Sequence, residues 1–383
     1  ALGCGNKKQA NKNIGNGLTI LIFSAIVLCL LGFGFRVEIL SMFGGNPEEV
    51  KCYEYANTYF KIICEGIPFY MIGQGLNGAI RADGSPKYAM ACTLAGAITN
   101  LIFDPVFIFG FGMGVKGAAI ATIMGQILTF AMSVFYLTKA KNFVLDKDSM
   151  KPERNTVGRI ISVGMASLIV QLSIVIIIAV NNNLLTKYGY QTYASTGEAF
   201  GAVIPLAVVG IVMKVFGIVV SIVIGISLGG QPIIGYNMGA GNTERVKKTI
   251  QLITRLVLFV GIIAFFIFEF VPDAIIYLFG SHNTAEYMEY ARLCIRIFLG
   301  GIILTCYIKS AAIILQSMGN SVKSTILALL RDVIVFVPAS IILAMISKSI
   351  VTMLWAAVIS DIISAIVGFL FVRSELDNLT TIR

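Results

Sequence analysis

Seven ionisable side chains, Lys61, Glu65, Lys214, Lys309, Arg331, Asp332 and Asp361, fall several helical turns inside runs of apolar residues. A charge at that depth costs a few kcal/mol or more unless it faces protein or water, so each one must pair, line a cleft, or carry an ion. Lys61 and Glu65 are spaced i, i+4, which places them on one helix face and predicts a structural charge pair. Lys214 lies about ten residues into its run, near mid-membrane by helical rise. For Lys214, Arg331, Asp332 and Asp361 two uses stay open: pairing that locks helices together, or a substrate or ion site. Arg331 and Asp332 are adjacent, and adjacent helical residues point in different directions, so they are not expected to pair with each other. Gln126, Gln171 and Asn182 are uncharged candidates for a cleft wall, the alternative being amide contacts between helices.

Other chemistries find little support. His282 is the single histidine, so a histidine-based metal site or catalytic triad cannot be built within one chain, and no metal is expected. The seven cysteines never occur as CxxC and sit mostly in or beside apolar runs, where a free thiol behaves as a small hydrophobe. The glycine turns "GCGNKK" and "GAGNTERVKK" are not followed by GxxxxGK[ST], so they read as helix ends, with glycine in left-handed conformation and Asn242 or Thr243 capping the next helix. No cofactor is expected.

These residues need a frame that the composition supplies. Of 383 residues 57% are hydrophobic and 13% charged, with mean hydropathy +0.86, a balance that belongs in a lipid bilayer. Only helices or closed barrels satisfy the backbone there, and strand-like alternation is lacking, so an all-α polytopic bundle is expected. Ten transmembrane helices are predicted, at 14–42, 53–80, 88–109, 118–137, 159–185, 205–236, 246–277, 287–316, 324–346 and 351–372. Threading these spans alternately leaves about 18 of the 29 Lys and Arg on one side, which is then cytoplasmic. The net charge of +9 therefore reports topology and not a nucleic-acid partner.

The chain also repeats itself. Gly3 maps on Gly239 at 239 − 3 = 236, and the same offset carries Phe43-Gly44 onto Phe279-Gly280. At 301 − 66 = 235, Gly66 meets Gly301, Lys61 meets Arg296 and Gly84 meets Gly319. Two homologous lobes in parallel arrangement follow: 1–140, a cytoplasmic linker at 141–158, and 159–383. Two spans precede "GAGN" in the second half and none precedes "GCGN" in the first. The expectation is therefore an N-terminally truncated chain, short of about 80 residues, and two six-helix lobes in the intact protein.

"IRADGSPKYAM" and "NLIFDPVFIFGFGMGVKGAAIATIMGQ" resemble the first-half signature of the multidrug and toxic compound extrusion (MATE) family. "GQPIIGYNMGAGN", "ILQSMGNSVKS", "LLRDVIVFVPASIIL" and "LWAAVISDIIS" are similar to its second-half counterparts, so the resemblance covers essentially the whole chain. The resemblance implies an inner-membrane antiporter that exports cationic, amphiphilic organic compounds against protons or sodium by alternating access, without being an enzyme. A monomer embedded in the bilayer is expected. Sodium-coupled members carry acidic residues on the seventh, eighth and tenth helices. The matching spans here hold Lys214 and Lys309 and no intramembrane Asp or Glu, so Asp332 and Asp361 are the available carboxylates. A flippase for lipid-linked saccharides, from a related two-lobe superfamily, is the alternative; a strongly cationic cavity would favour it.

Overall fold

The computed structural model describes residues 1–42, 50–192, 198–279 and 285–381, so His282, Phe43, Gly44 and Gly280 lie outside the described residues. The described chain is helical and divides into two compact units, Ala1–Ile161 and Ser162–Arg383.

The first unit contains α1 (Lys7–Gly34), the short α2 (Arg36–Met42), α3 (Val50–Ala82), α4 (Pro86–Pro105) and α5 (Gly114–Leu137). The second contains α7 (Glu198–Gly239), α8 (Thr243–Phe270), α9 (Pro272–Leu278), α10 (Ala285–Leu293), α11 (Ile302–Ser317), α12 (Ser321–Leu329), α13 (Phe336–Ser347), α14 (Ile350–Met353) and α15 (Trp355–Thr381). The long α6 (Arg154–Thr192) runs through the boundary. Five- to six-residue π-turns, Val106–Gly110, Cys294–Phe298 and Leu330–Val335, continue α4 and α10 and join α12 to α13. Among the described residues eight helices are long and apolar enough to cross a membrane, or nine if Tyr287–Phe298 and Ile302–Ser317, which meet at 47°, form one span. The predicted span at 53–80 is the one not counted: α3 is 33 residues long, but Lys61 and Glu65 lower its apolarity. The predicted spans at 14–42 and 246–277 each break near the end, at Phe35 and at Val271-Pro272. Proline lacks the N–H that would continue α8 and instead opens α9.

The glycine turns behave alike in both units. Gly5 and Gly241 have φ of 73° and 71°, a left-handed conformation that costs a residue with a Cβ and costs glycine little. The next residue caps the following helix: Asn6 Oδ1 accepts from Gln9 N at 3.0 Å and Asn242 Oδ1 from Arg245 N at 3.1 Å. The turn is thus closed by its own side chains.

The segment after α5 folds back onto the first unit. Asn16, buried in α1, donates through Nδ2 to the carbonyls of Ser149 (2.9 Å) and Lys151 (3.0 Å) and accepts from Glu153 N (2.7 Å). Thr19 Oγ1 donates to Met150 O, and Lys12 pairs with Glu153 at 2.9 Å. Asp83, 1% exposed, accepts from Tyr136 OH and from the backbone N–H groups of Lys141 and Asn142. Residues 141–153 therefore form a strap over the first unit, with its turns satisfied by buried side chains.

Candidate functional site

In the second unit α6, α7, α11 and α12 enclose a cavity of about 550 Å³, mostly apolar in lining, with its charged groups gathered on one wall. Lys309 on α11 and Arg331 and Asp332 on the π-turn Leu330–Val335 form that wall, and Asp361 on α15 and Thr305 on α11 join the cluster without lining the cavity. Lys309 Nζ lies 3.0 Å from Asp332 Oδ2, Arg331 Nη1 lies 2.8 Å from Asp332 Oδ1, and Arg331 Nε lies 3.0 Å from Asp361 Oδ1. Thr305 Oγ1 donates to Asp361 Oδ2 at 2.7 Å, and Ser360 Oγ donates to the Arg331 carbonyl. The two cations and two anions cancel. That balance is what makes three buried charges and the half-buried Lys309 tolerable in this environment, because each carries a short charge-assisted bond.

Arg331 and Asp332 do pair, which corrects the expectation drawn from helical geometry. A π-turn holds more residues per turn than an α-helix, so consecutive side chains are splayed less, and the long arginine stem reaches back to its neighbour. The guanidinium also lies 5.6 Å from the centre of the Phe216 ring, within cation–π range. Phe216, Phe298 and Phe336 continue as an edge-to-face series with centroids 6.5 and 6.3 Å apart.

Close approach of α11 and α15 depends on Gly301. A Cβ built there would fall on the Asp361 carboxylate. The repeat extends to this contact. Asp361 corresponds to Gln126 at 361 − 126 = 235, the offset that relates Gly301 to Gly66, and a Cβ on Gly66 would meet Gln126 Oε1 at 2.5 Å. The first unit keeps the geometry and drops the charge. Gln126 Oε1 is buried without a hydrogen-bond partner, and the position matching Arg331, at 331 − 235 = 96, is Gly96, packed against the backbone of Gly125.

The other candidates divide. Gln171 on α6 lines the cavity. Lys214 and Asn182 are exposed and do not line it. Among the described residues Lys214 takes part in no ion pair, and the predicted Lys61–Glu65 pair does not form. Both side chains are exposed, and an i, i+4 attraction there is worth only tenths of a kcal/mol, too little to hold two long rotamers. Thr305, Phe216 and Gly301 were not singled out by residue type, and Lys309 was noted without a partner. The repeat offset was not carried as far as Gln126 and Asp361, and extending it is the signal that would have found this contact.

The chain as a whole is similar to known proteins. The family model MatE matches residues 1–106 and 178–342. The chain belongs to the MatE family. It is therefore a multi-pass protein of the cytoplasmic membrane in a family of transporters. Among its MatE relatives, the multidrug export protein MepA of Staphylococcus aureus (strain NCTC 8325 / PS 47) is 24% identical over 357 residues, 93% of this chain and 74% of that protein. MepA of Staphylococcus saprophyticus is 22% identical over 361 residues, 94% of this chain and 75% of that one. The fold matches a MOP superfamily transporter from Pyrococcus furiosus with TM-score 0.87 at 21% identity, covering 99% of this chain and 81% of that chain. It also matches an outward-facing multidrug resistance MATE family transporter with TM-score 0.87 at 22% identity and the same coverage.

Proposed function

We propose that this MatE protein is a secondary multidrug exporter that moves small amphiphilic organic compounds out across the cytoplasmic membrane in exchange for protons or sodium, its lobes alternating access. The observation that carries the reading is the aromatic-walled cavity with a buried, charge-balanced cluster on one side. An apolar chamber of this size accepts drug-sized bodies of varied shape, and a few fixed polar groups orient them. Buried carboxylates beside it are the groups whose occupancy by a proton or cation can be coupled to the compound. Relatives named as multidrug export proteins support the same assignment. No chemical step on the compound is involved, and no cofactor beyond the coupling ion. The flippase alternative called for a strongly cationic cavity, whereas both cations here, Lys309 and Arg331, are paired with carboxylates.

The test is exchange in proteoliposomes of a fluorescent amphiphile against an imposed proton or sodium gradient. Asp332→Asn and Asp361→Asn should each reduce exchange to a small fraction of the parent rate at equal reconstituted protein. Parent-like exchange in both variants would remove the cluster from the transport cycle.

A further inference from the structure

The charge cluster beside the cavity is neutral in sum, yet it does not present its two signs equally. Every carboxylate oxygen in it is engaged: Asp332 Oδ1 by Arg331, Asp332 Oδ2 by Lys309, Asp361 Oδ1 by Arg331 and Asp361 Oδ2 by Thr305. The side chains of Asp332 and Asp361 are 2% and 1% exposed and Asp361 does not line the cavity, so the carboxylates offer a ligand almost no surface. Arg331 gives Nε and Nη1 to the two carboxylates and its face to Phe216, and at 10% exposure its remaining N–H groups are less open than the Lys309 ammonium. Lys309 differs. Its ammonium has three donors, of which one goes to Asp332, and its side chain is 19% exposed on the cavity wall. The nearby hydroxyls of Ser324 and Thr325 donate to the carbonyls of Ala312 and Ser321, and the amides of Gln171 and Gln316 carry both donor and acceptor and so favour neither sign.

A cationic compound entering this cavity meets an ammonium before any carboxylate. To reach Asp332 it must evict Lys309 and leave that charge without its partner, an outcome that costs more than the new pair returns. A carboxylate meets spare N–H groups already held in place, with an aromatic surface beside them. We infer that the cavity of the second unit takes amphiphiles by an acceptor head, the carboxylate of an anionic or zwitterionic compound, held on Lys309 Nζ with an aromatic body against Phe216, Phe298 and Phe336. This rests on the exporter reading and deepens it: for this cavity it replaces the organic cation that the family resemblance implied.

A matched pair of probes with one aromatic body and opposite heads, pyrenebutyrate and pyrenebutyltrimethylammonium, tests it. Binding is measured by equilibrium dialysis against the protein in lipid nanodiscs, with uptake by empty nanodiscs subtracted. The carboxylate should bind at least about tenfold more tightly than the ammonium, the scale of one charge-assisted hydrogen bond. Lys309→Arg should keep that preference and Lys309→Gln should abolish it. Because Lys309→Gln leaves the cluster unbalanced, Lys309→Gln combined with Asp332→Asn, which restores neutrality, is measured alongside and should also lose the preference. Equal binding of the two probes, preference for the ammonium, or a preference that survives in both glutamine variants overturns the inference and leaves the exporter reading standing. Absence of exchange for every compound in proteoliposomes overturns the exporter reading instead, whatever the binding ratio.

Discussion

Replacing Asp361 with Asn tests whether charge balance holds the second unit together. Asp361 is 1% exposed and its carboxylate receives Arg331 Nε at 3.0 Å and Thr305 Oγ1 at 2.7 Å. The substitution keeps the shape and removes one charge, so Lys309 and Arg331 are left with Asp332 alone and the cluster carries one uncompensated positive charge. Removing one partner of a buried pair costs about 3–5 kcal/mol. For a unit of this size each kcal/mol shifts Tm by roughly 2–4 °C, so a fall of roughly 6–20 °C is expected. The double variant Arg331→Met/Asp361→Asn removes one charge of each sign, leaves Lys309 paired with Asp332, and should be more stable than Asp361→Asn alone. A thiol-reactive dye in detergent solution provides the assay, because Cys294 and Cys306 are free and fully buried until the second unit opens. A fall of less than about 2 °C for Asp361→Asn, or a double variant no more stable than the single, would refute the reasoning that neutrality and not volume governs this site.

Two further outcomes follow from local geometry. Gly301→Ala places a methyl group on the Asp361 carboxylate and should cost about 1–3 kcal/mol in the same melt, whereas Gly66→Ala, facing the neutral Gln126, should cost less; a reversed order would argue against the charge cluster as the sensitive element. The strap at 141–153 should loosen in acid. Hydrogen bonding and charge from Lys12 hold the Glu153 carboxyl below the usual carboxylate range, so its contribution is present above the unfolded pKa of about 4.3 and is lost as pH falls through the lower folded value. Limited proteolysis by an acid-active protease should therefore cut the strap faster at pH 3 than at pH 5 in the parent, and Lys12→Gln should narrow that difference; equal rates at both pH values in the parent would contradict it.

Class, membrane location and family were legible from composition and from motifs in order, because apolar run length and turn chemistry are local properties of the chain. The two-lobe repeat was legible for the same reason: glycine conformation and asparagine capping are set within a few residues, and both units reproduce them. Helix breaks were less so, since Phe35 carries no marker and the π-turns arise where packing rather than propensity chooses the hydrogen-bond ladder. The strap escaped notice because its partners, Asn16 with Ser149 and Asp83 with Asn142, are 133 and 59 residues apart.

The site shows the division most clearly. Sequence alone established which charges must be explained, since hydrocarbon makes any buried Lys, Arg or Asp costly wherever it points. Which of them meet was decided only in three dimensions. Lys61 and Glu65, spaced to pair, stay apart because both are exposed, while Lys309, Arg331, Asp332 and Asp361, drawn from three elements, converge because Gly301 lets α15 approach α11 and a π-turn turns Arg331 toward Asp332. Spacing along one helix can offer a partner, but desolvation by neighbouring helices is what makes the pairing worth its entropy.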